Sequence, residues 1–373
     1  MHDMTNVGKS HQSDIAPVAK KRWYRGRLSV EVRREIGGWH QAAMLAGSVL
    51  MGLILSGCIL VAAGVPATSL VQEMLYSTLL DATNLRTVLF QASPLILVGL
   101  SAAIAFQVRF WNLGIEGQMI FGGLGATFVS LFDLGPDYAR LPLMALAAIL
   151  AGTAWAVLPT LLKLKLNVNE IISTLLLNYV ALDLLFHLVY GAWKDPKDGF
   201  PHSALYRASE LLPVLASGIS SALVIAAFAT ATLAYLTIWS RAGIYMRFIE
   251  ANPSVARAVG IPVQRVILVV VLLSGALASL AGFVIVSGQE GRLTQSFFRG
   301  YGVSGVLIGF LARNNPIAAA AVAMLMGVLF VAGQNLQVFY SIPQAMVQLI
   351  QALIVICVAS SDFLIRHRVS WVR

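Results

Sequence analysis

AAMLAGSVLMGLILSGCILVAAG, residues 42–64, runs for 23 residues without a charged side chain and without alternation between apolar and polar positions. An α-helix rises about 1.5 Å per residue and needs about 20 residues to cross a bilayer, whereas a membrane β-strand alternates over segments of about ten. The stretch therefore reads as a membrane helix, and comparable runs recur along nearly the whole chain. Spans are expected near residues 40–64, 86–107, 116–133, 140–162, 170–190, 213–238, 266–287, 301–312, 316–335 and 343–364. The expected fold is all-α, a polytopic membrane protein of about ten transmembrane helices. Composition agrees: 58% of residues are hydrophobic and 12% charged, against about 45–50% and about 25% in soluble domains.

The charge pattern then orients the chain. A net charge of +9 can serve nucleic-acid binding, but Lys and Arg in a membrane protein encode topology, because loops rich in them stay cytoplasmic. No nucleic-acid partner is expected. With the basic tail 1–38 placed inside, about 19 of the 26 basic residues fall on the cytoplasmic side and about 7 outside, the bias that the positive-inside rule requires. Both termini are expected in the cytoplasm, with a transmembrane domain over 39–365, a cytoplasmic loop at 241–265 and a short C-terminal tail over 366–373. The tail carries Lys20, Lys21, Arg22, Arg25, Arg27, Arg33 and Arg34 ahead of the first apolar run, so that run is expected to be an uncleaved anchor. Cys58 and Cys357 lie in apolar runs, with neither metal-site spacing nor a disulfide expected. Gly191–Leu211 reads as the longest outer loop, and Thr68–Thr83 as a short helix at the interface.

Two segments interrupt the apolar pattern. RFWNLGIEGQMIFGG, Arg109–Gly123, carries Asn112, Glu116 and Gln118 among glycines. One reading is a structured break at membrane depth, screened from lipid because unsatisfied amides there cost several kcal/mol each, with Glu116 and Gln118 facing a pathway. The other is a cytoplasmic turn wetted by bulk water. The second segment, Ser287–Pro316, has an apolar core too short to cross a bilayer. A Gly-rich broken segment in each half of the chain is a layout shared with transporters built from two repeats.

Polar stripes mark two helices. Gln344, Gln348 and Gln351 fall on one face of the last span, and Glu170, Thr174 and Asn178 on one face of the fifth. Each stripe can line a polar route or hydrogen-bond to a neighbouring helix. Asp183 and His187, four apart, can pair with each other or relay protons. Gln334 and Asn335 are adjacent and so diverge around their helix.

The loop RAGIYMRFIEANPSVARAVGIPVQR, Arg241–Arg265, is longer than a helix connection needs to be. It contains a short helix expected over Pro253–Val259, with Asn252 before a proline at the first helical position and Gly260 just past the end. Ser254, Arg257 and Ala258 are expected on its exposed surface, available for docking.

This loop resembles the segment by which permease subunits of ABC importers contact their ATPase. FWNLGIEGQ, NEIISTLLLNY, GAWKDP and GYGVSGVLIGFLARNNP are similar to the nucleoside and simple-sugar branch of that family, related to ribose and branched-chain amino acid permeases; the resemblance runs from about Leu95 to the C-terminus. It implies a permease domain fed by a periplasmic or lipid-anchored substrate-binding protein, paired with a second permease subunit, identical or homologous, and driven by cytoplasmic ATP-binding subunits in a bacterial inner membrane. By that resemblance Glu250, Asn252, Pro253, Arg257 and Gly260 form the coupling helix, with Ala251 where many relatives have glycine. Asn112, Glu116, Gln118, Asn178, Gln344 and Gln348 are expected along the substrate pathway.

The chain shows no motor of its own. Gly8, Lys9 and Ser10 imitate the end of a phosphate-binding loop, but Asp3 stands where its first glycine belongs. No metal-protease, nucleophile-elbow or dinucleotide motif is present, so no catalysis, metal or cofactor is expected. The leading expectation is a nucleoside permease, with simple sugars as the alternative cargo. An ion-coupled secondary transporter using Asp183, His187 and Glu170 is the competing class; an exporter or channel finds no filter-like repeat or charge ring.

Overall fold

The computed structural model describes residues 27–32, 38–71, 76, 78, 80–197, 199–215, 218–298 and 300–372. Its helices are α1 (Gly38–Ala62), α2 (Ala67–Val71), α3 (Ala82–Gln107), α4 (Ile115–Leu131), α5 (Asp137–Leu166), α6 (Glu170–Tyr190) and α7 (Ser221–Ile238). They continue as α8 (Arg241–Ala251), α9 (Pro253–Ala258), α10 (Val263–Ile285), α11 (Tyr301–Leu311), α12 (Pro316–Tyr340) and α13 (Gln344–Arg366). A π-helical turn, Val286–Glu290, extends α10. Local chemistry sets many starts: the side chains of Asp81, Asn169, Ser220, Ser240, Asn252 and Asn315 each accept hydrogen bonds from the first amides of the helix that follows.

Among the described residues six helices are long and apolar enough to cross a membrane: α3, α5, α6, α7, α10 with its π-helical extension, and α12. The other four expected spans fall on α1, α4, α11 and α13. Of these, α4 has 17 residues and α11 has 11; at about 1.5 Å per residue both are shorter than a hydrocarbon core of about 30 Å. The interfacial helix expected over 68–83 lies partly outside the described residues, as does most of the N-terminal tail.

Helix α3 is the axis of the fold. It is buried along most of its length, surrounded by α10, α11 and α12, while α10 also packs on α4 and α5. Glycine sets the closest crossing, between α4 and α10. A Cβ on Gly122 would fall 2.2 Å from the Ser279 carbonyl oxygen, and one on Gly282 would fall 2.1 Å from that of Met119. Only a residue without a side chain lets these backbones approach so closely. Helix α1 pairs with α13 at the edge of the bundle.

The ends of the helices gather into two poles. At one, α8 and α9 meet the α3–α4 and α11–α12 connections. At the other, Arg140 of α5 binds Asp133 at 2.7 Å and Glu210 at 3.0 Å, while Glu210 also accepts from Ser130 Oγ and the Arg207 amide, both at 2.8 Å. This network pins the segment between α6 and α7 to the far end of α4 and α5. One departure from an all-helical chain is a two-stranded antiparallel ribbon, β1 (Arg27–Val32) with β2 (His367–Val372). It brings the two tails together. Because α12 leaves the α8–α9 pole and α13 returns to it, the tails meet at that same pole.

Candidate coupling loop and substrate pathway

The connection from α3 to α4, residues 108–114, leaves helical geometry, with Arg109 in the left-handed region at φ 56°. Many of its polar groups find partners within the protein. Asn112 is fully buried: its Nδ2 donates to Gln118 Oε1 at 3.0 Å and to Ser274 Oγ at 2.9 Å, and its Oδ1 accepts from Gln118 Nε2 and the Gly114 amide, both at 3.1 Å. Ser274 donates onward to the Ser101 carbonyl at 2.8 Å, and the two hydroxyls lie 2.9 Å apart. Asn178, from α6, closes the other side, donating to the Leu113 carbonyl and accepting from the Gly117 amide, each at 2.8 Å. A turn at the end of a buried helix thus exposes few open amides, the condition for irregular backbone within a membrane.

Residues expected along a pathway separate on this geometry. Asn112 and Gln118 are turned into protein and use their amides on each other. Glu116 and Asn178 instead border a cavity of about 330 Å³ between α4, α6 and α11, with Leu175, Tyr179, Phe298 and Val303 among its walls. Gln348 is exposed on α13, on another flank; the side chain of Gln344 lies outside those described. Glu170 is buried and paired with Lys163 at 2.7 Å. Asp183 and His187 are exposed on α6 and do not pair with each other.

The short helix expected over Pro253–Val259 is α9. The Asn252 side chain accepts from the amides of Ser254 at 2.9 Å and Val255 at 3.4 Å, Pro253 opens the helix, and Gly260 follows it at φ 84°. Ala256 packs inward, leaving Ser254, Val255, Arg257, Ala258 and Val259 exposed. The preceding helix, α8, ends in a clamp. Arg109 donates to the carbonyls of Glu250 at 2.8 Å and Ala251 at 2.9 Å, and Asn314 Nδ2 donates to Glu250 Oε1 at 2.9 Å. Gln107 in turn donates to the Asn314 carbonyl. Asn314 and its neighbour Arg313 are also left-handed, at φ 61° and 50°. The connections that follow α3 and α11 therefore close on one point at the end of α8.

Arg109, Ser274, Asn314 and Tyr179 were not singled out for these roles by sequence. Left-handed φ at Arg or Asn has no reliable local signature, and the partners lie far apart in the chain.

Residues 84–359 match the family described as "Branched-chain amino acid transport system / permease component". The chain belongs to this permease family. Among its relatives, a glucose ABC transporter permease of Haloferax volcanii is 34% identical across 92% of this chain and 93% of its own length. A guanosine ABC transporter permease of Bacillus subtilis is 30% identical over 73% of this permease and 79% of its own length. A nucleoside ABC transporter permease of Lactococcus lactis is 25% identical over 76% and 81%. The permease is a multi-pass membrane subunit, and its family implies an ATP-binding subunit and a substrate-binding protein as partners.

Proposed function

We propose that this permease carries nucleosides inward as the membrane subunit of an ABC importer, with ATP hydrolysed on a separate chain. The observation that carries the reading is α9: a capped helix at one pole, anchored through Glu250 to the connections after α3 and α11, with Val255, Arg257 and Val259 uncovered. An uncovered surface on a helix anchored to the membrane bundle is suited to pass motion from a docked ATPase. In this reading Glu250, Asn252, Pro253, Arg257 and Gly260 form the coupling segment within the loop 241–265, and that pole is cytoplasmic. The basic tail 1–38 and the tail 366–373 lie on the same side, with a transmembrane domain over 39–365 between them. The bacterial inner membrane is the setting, and α1, α4, α11 and α13 complete about ten membrane-inserted helices, with α4 and α11 flanking Gly-rich breaks.

For the cargo, Glu116 and Asn178 beside the aromatic ring of Tyr179 suit a neutral molecule bearing hydroxyls and a flat ring. Asn112 and Gln118 would act by holding the break in shape. The names of two relatives, for guanosine and for nucleosides, support the same choice. The glucose relative, matching over most of both chains, favours a simple sugar as the second reading. A second permease, identical or homologous, completes the pathway.

Uptake of labelled nucleosides and hexoses by the complex reconstituted with its companions decides the cargo. Arg257→Glu tests the coupling: ATP hydrolysis is expected to continue while uptake is lost, with the protein still inserted. Normal uptake by that variant would remove Arg257 from the coupling surface.

A further inference from the structure

Between the first and last turns of the six long helices, Asp183 is the only acidic residue. It lies thirteen positions after Glu170 on α6, about 20 Å along the helix and about 10 Å short of Tyr190. It is exposed, it makes no hydrogen bond or ion pair among the described residues, and His187, one turn further on, shares both properties. The mid-helix surfaces of α5 and α7 by contrast present uncharged groups such as Leu146, Leu150 and Phe228. A carboxylate facing hydrocarbon at that depth is costly, and intramembrane ionisable groups accordingly face cavities or partners.

The stripe to which Asp183 belongs has two halves. Ile172, Leu176, Tyr179, Asp183, His187 and Tyr190 fall within one narrow sector of α6, all exposed. Towards the α9 pole the sector is aliphatic; from Tyr179 onward it is polar or amphipathic. Tyr179 borders the Glu116 cavity, and at the other end Tyr190 donates to Gln295 Oε1 at 2.6 Å, tying the stripe to the segment before α11.

We propose that the Tyr179, Asp183 and His187 face of α6 walls a water-filled vestibule, closed on its far side by the second permease subunit, which leads cargo down to the Glu116 cavity. The aliphatic half, with Ile172 and Leu176, is where that second subunit seals the route. The inference rests on the importer reading above but concerns a different face from the one α9 presents.

The test places a nitroxide label at Asp183→Cys and His187→Cys, with Cys58 and Cys357 replaced by alanine, in the complete complex in lipid nanodiscs. Collision with a water-soluble nickel chelate is compared with collision with oxygen, which concentrates in lipid. Nickel is expected to dominate at both positions and oxygen at a Phe228→Cys control. Oxygen dominating at 183 and 187 would place the face in lipid; low access to both would make it a dry interface; either result overturns the vestibule. Should Asp183→Cys fail to insert, Tyr179→Cys and His187→Cys read the same face. Uptake is measured in parallel on the unlabelled native complex, so a wet face together with a native complex that carries no nucleoside would overturn the cargo and uphold the vestibule.

Discussion

Arg109 donates its guanidinium to the main chain of Glu250, at 2.8 Å, across 141 positions of sequence. The carbonyl groups of a helix's last turn have no partner within the helix, and a cation there also opposes the negative end of its dipole, an effect of about 0.3–1 kcal/mol at an exposed site. As a contribution to stability the contact is small. As a linkage it matters more, because it fastens the end of α3 to the end of α8 where α9 begins. Arg109→Ala is expected to leave thermal stability nearly unchanged and to lower uptake per ATP hydrolysed by about tenfold, within the range of coupling free energies of about 1–3 kcal/mol. Parallel assays of hydrolysis and uptake check this. Equal losses in both would show a folding defect and no loss of linkage.

Asn112 presents the opposite case. It is buried, and its side chain serves Gln118, Ser274 and the Gly114 amide together. Asn112→Leu keeps the branched shape but strands those partners, and each buried polar group left alone costs about 1–3 kcal/mol. A drop of many degrees in melting temperature is expected in detergent. Ser274→Ala should cost much less, since Ser101 Oγ keeps the Ser274 carbonyl at 2.8 Å as acceptor. If the two variants melted alike, the network would not centre on Asn112.

Two glycines separate crowding from backbone strain. A Cβ at Gly282 would meet the main chain of Met119, which cannot swing aside, so Gly282→Ala should cost at least the roughly 1–3 kcal/mol of an overpacked site. At Gly260 nothing lies within 4 Å, but φ is 84°. Gly260→Ala therefore carries only the left-handed penalty of about 1–2 kcal/mol, borne locally by the end of α9. Gly282→Ala should lower the melting temperature of the whole protein; Gly260→Ala should leave it nearly intact and show faster amide exchange over residues 253–260. The reverse pattern would contradict the packing of α4 on α10.

What was legible in the sequence was local. The Asn252 and Pro253 start and the Gly260 stop of α9 are written within nine residues, and the apolar runs declare the helices. The remainder depends on contacts between distant segments. Nothing near Arg109 announces Glu250, and nothing near Asn112 announces Ser274. Glu116 and Gln118, two residues apart, have equal polarity in sequence; the fold alone sends one to a cavity wall and buries the other. Eleven residues of α11 read as a truncated span, but their place against α3 follows from Gly305 and Gly309, where a Cβ would strike Val98 and Ala102. The ribbon of RLSVEV with HRVSWV has no comparable local signature, since both short segments lie in charged tails and pair only across the length of the chain.

The far pole is expected to respond to acid. Hydrogen bonding from Arg140, opposed by partial desolvation and helped by the nearby charge of Arg207, holds Asp133 below the usual carboxylate range. Burial pushes Glu210 up, but the Arg207 amide, Ser130 and Arg140 outweigh it, and Glu210 also ends below its ordinary value. Groups lowered by folding stabilise the folded state fully above their ordinary pKa, near 4, and lose that contribution as pH falls through their folded values. Arg140→Met removes the cation shared by Asp133, Asp137 and Glu210 and leaves the Glu210 carboxylate without its charged partner. The gap in melting temperature between the native protein and Arg140→Met should be widest at pH 7 and narrow by pH 3, as protonation removes from the native protein what the variant already lacks. A gap that stays constant over that interval would mean that Arg140 acts by packing and not by charge.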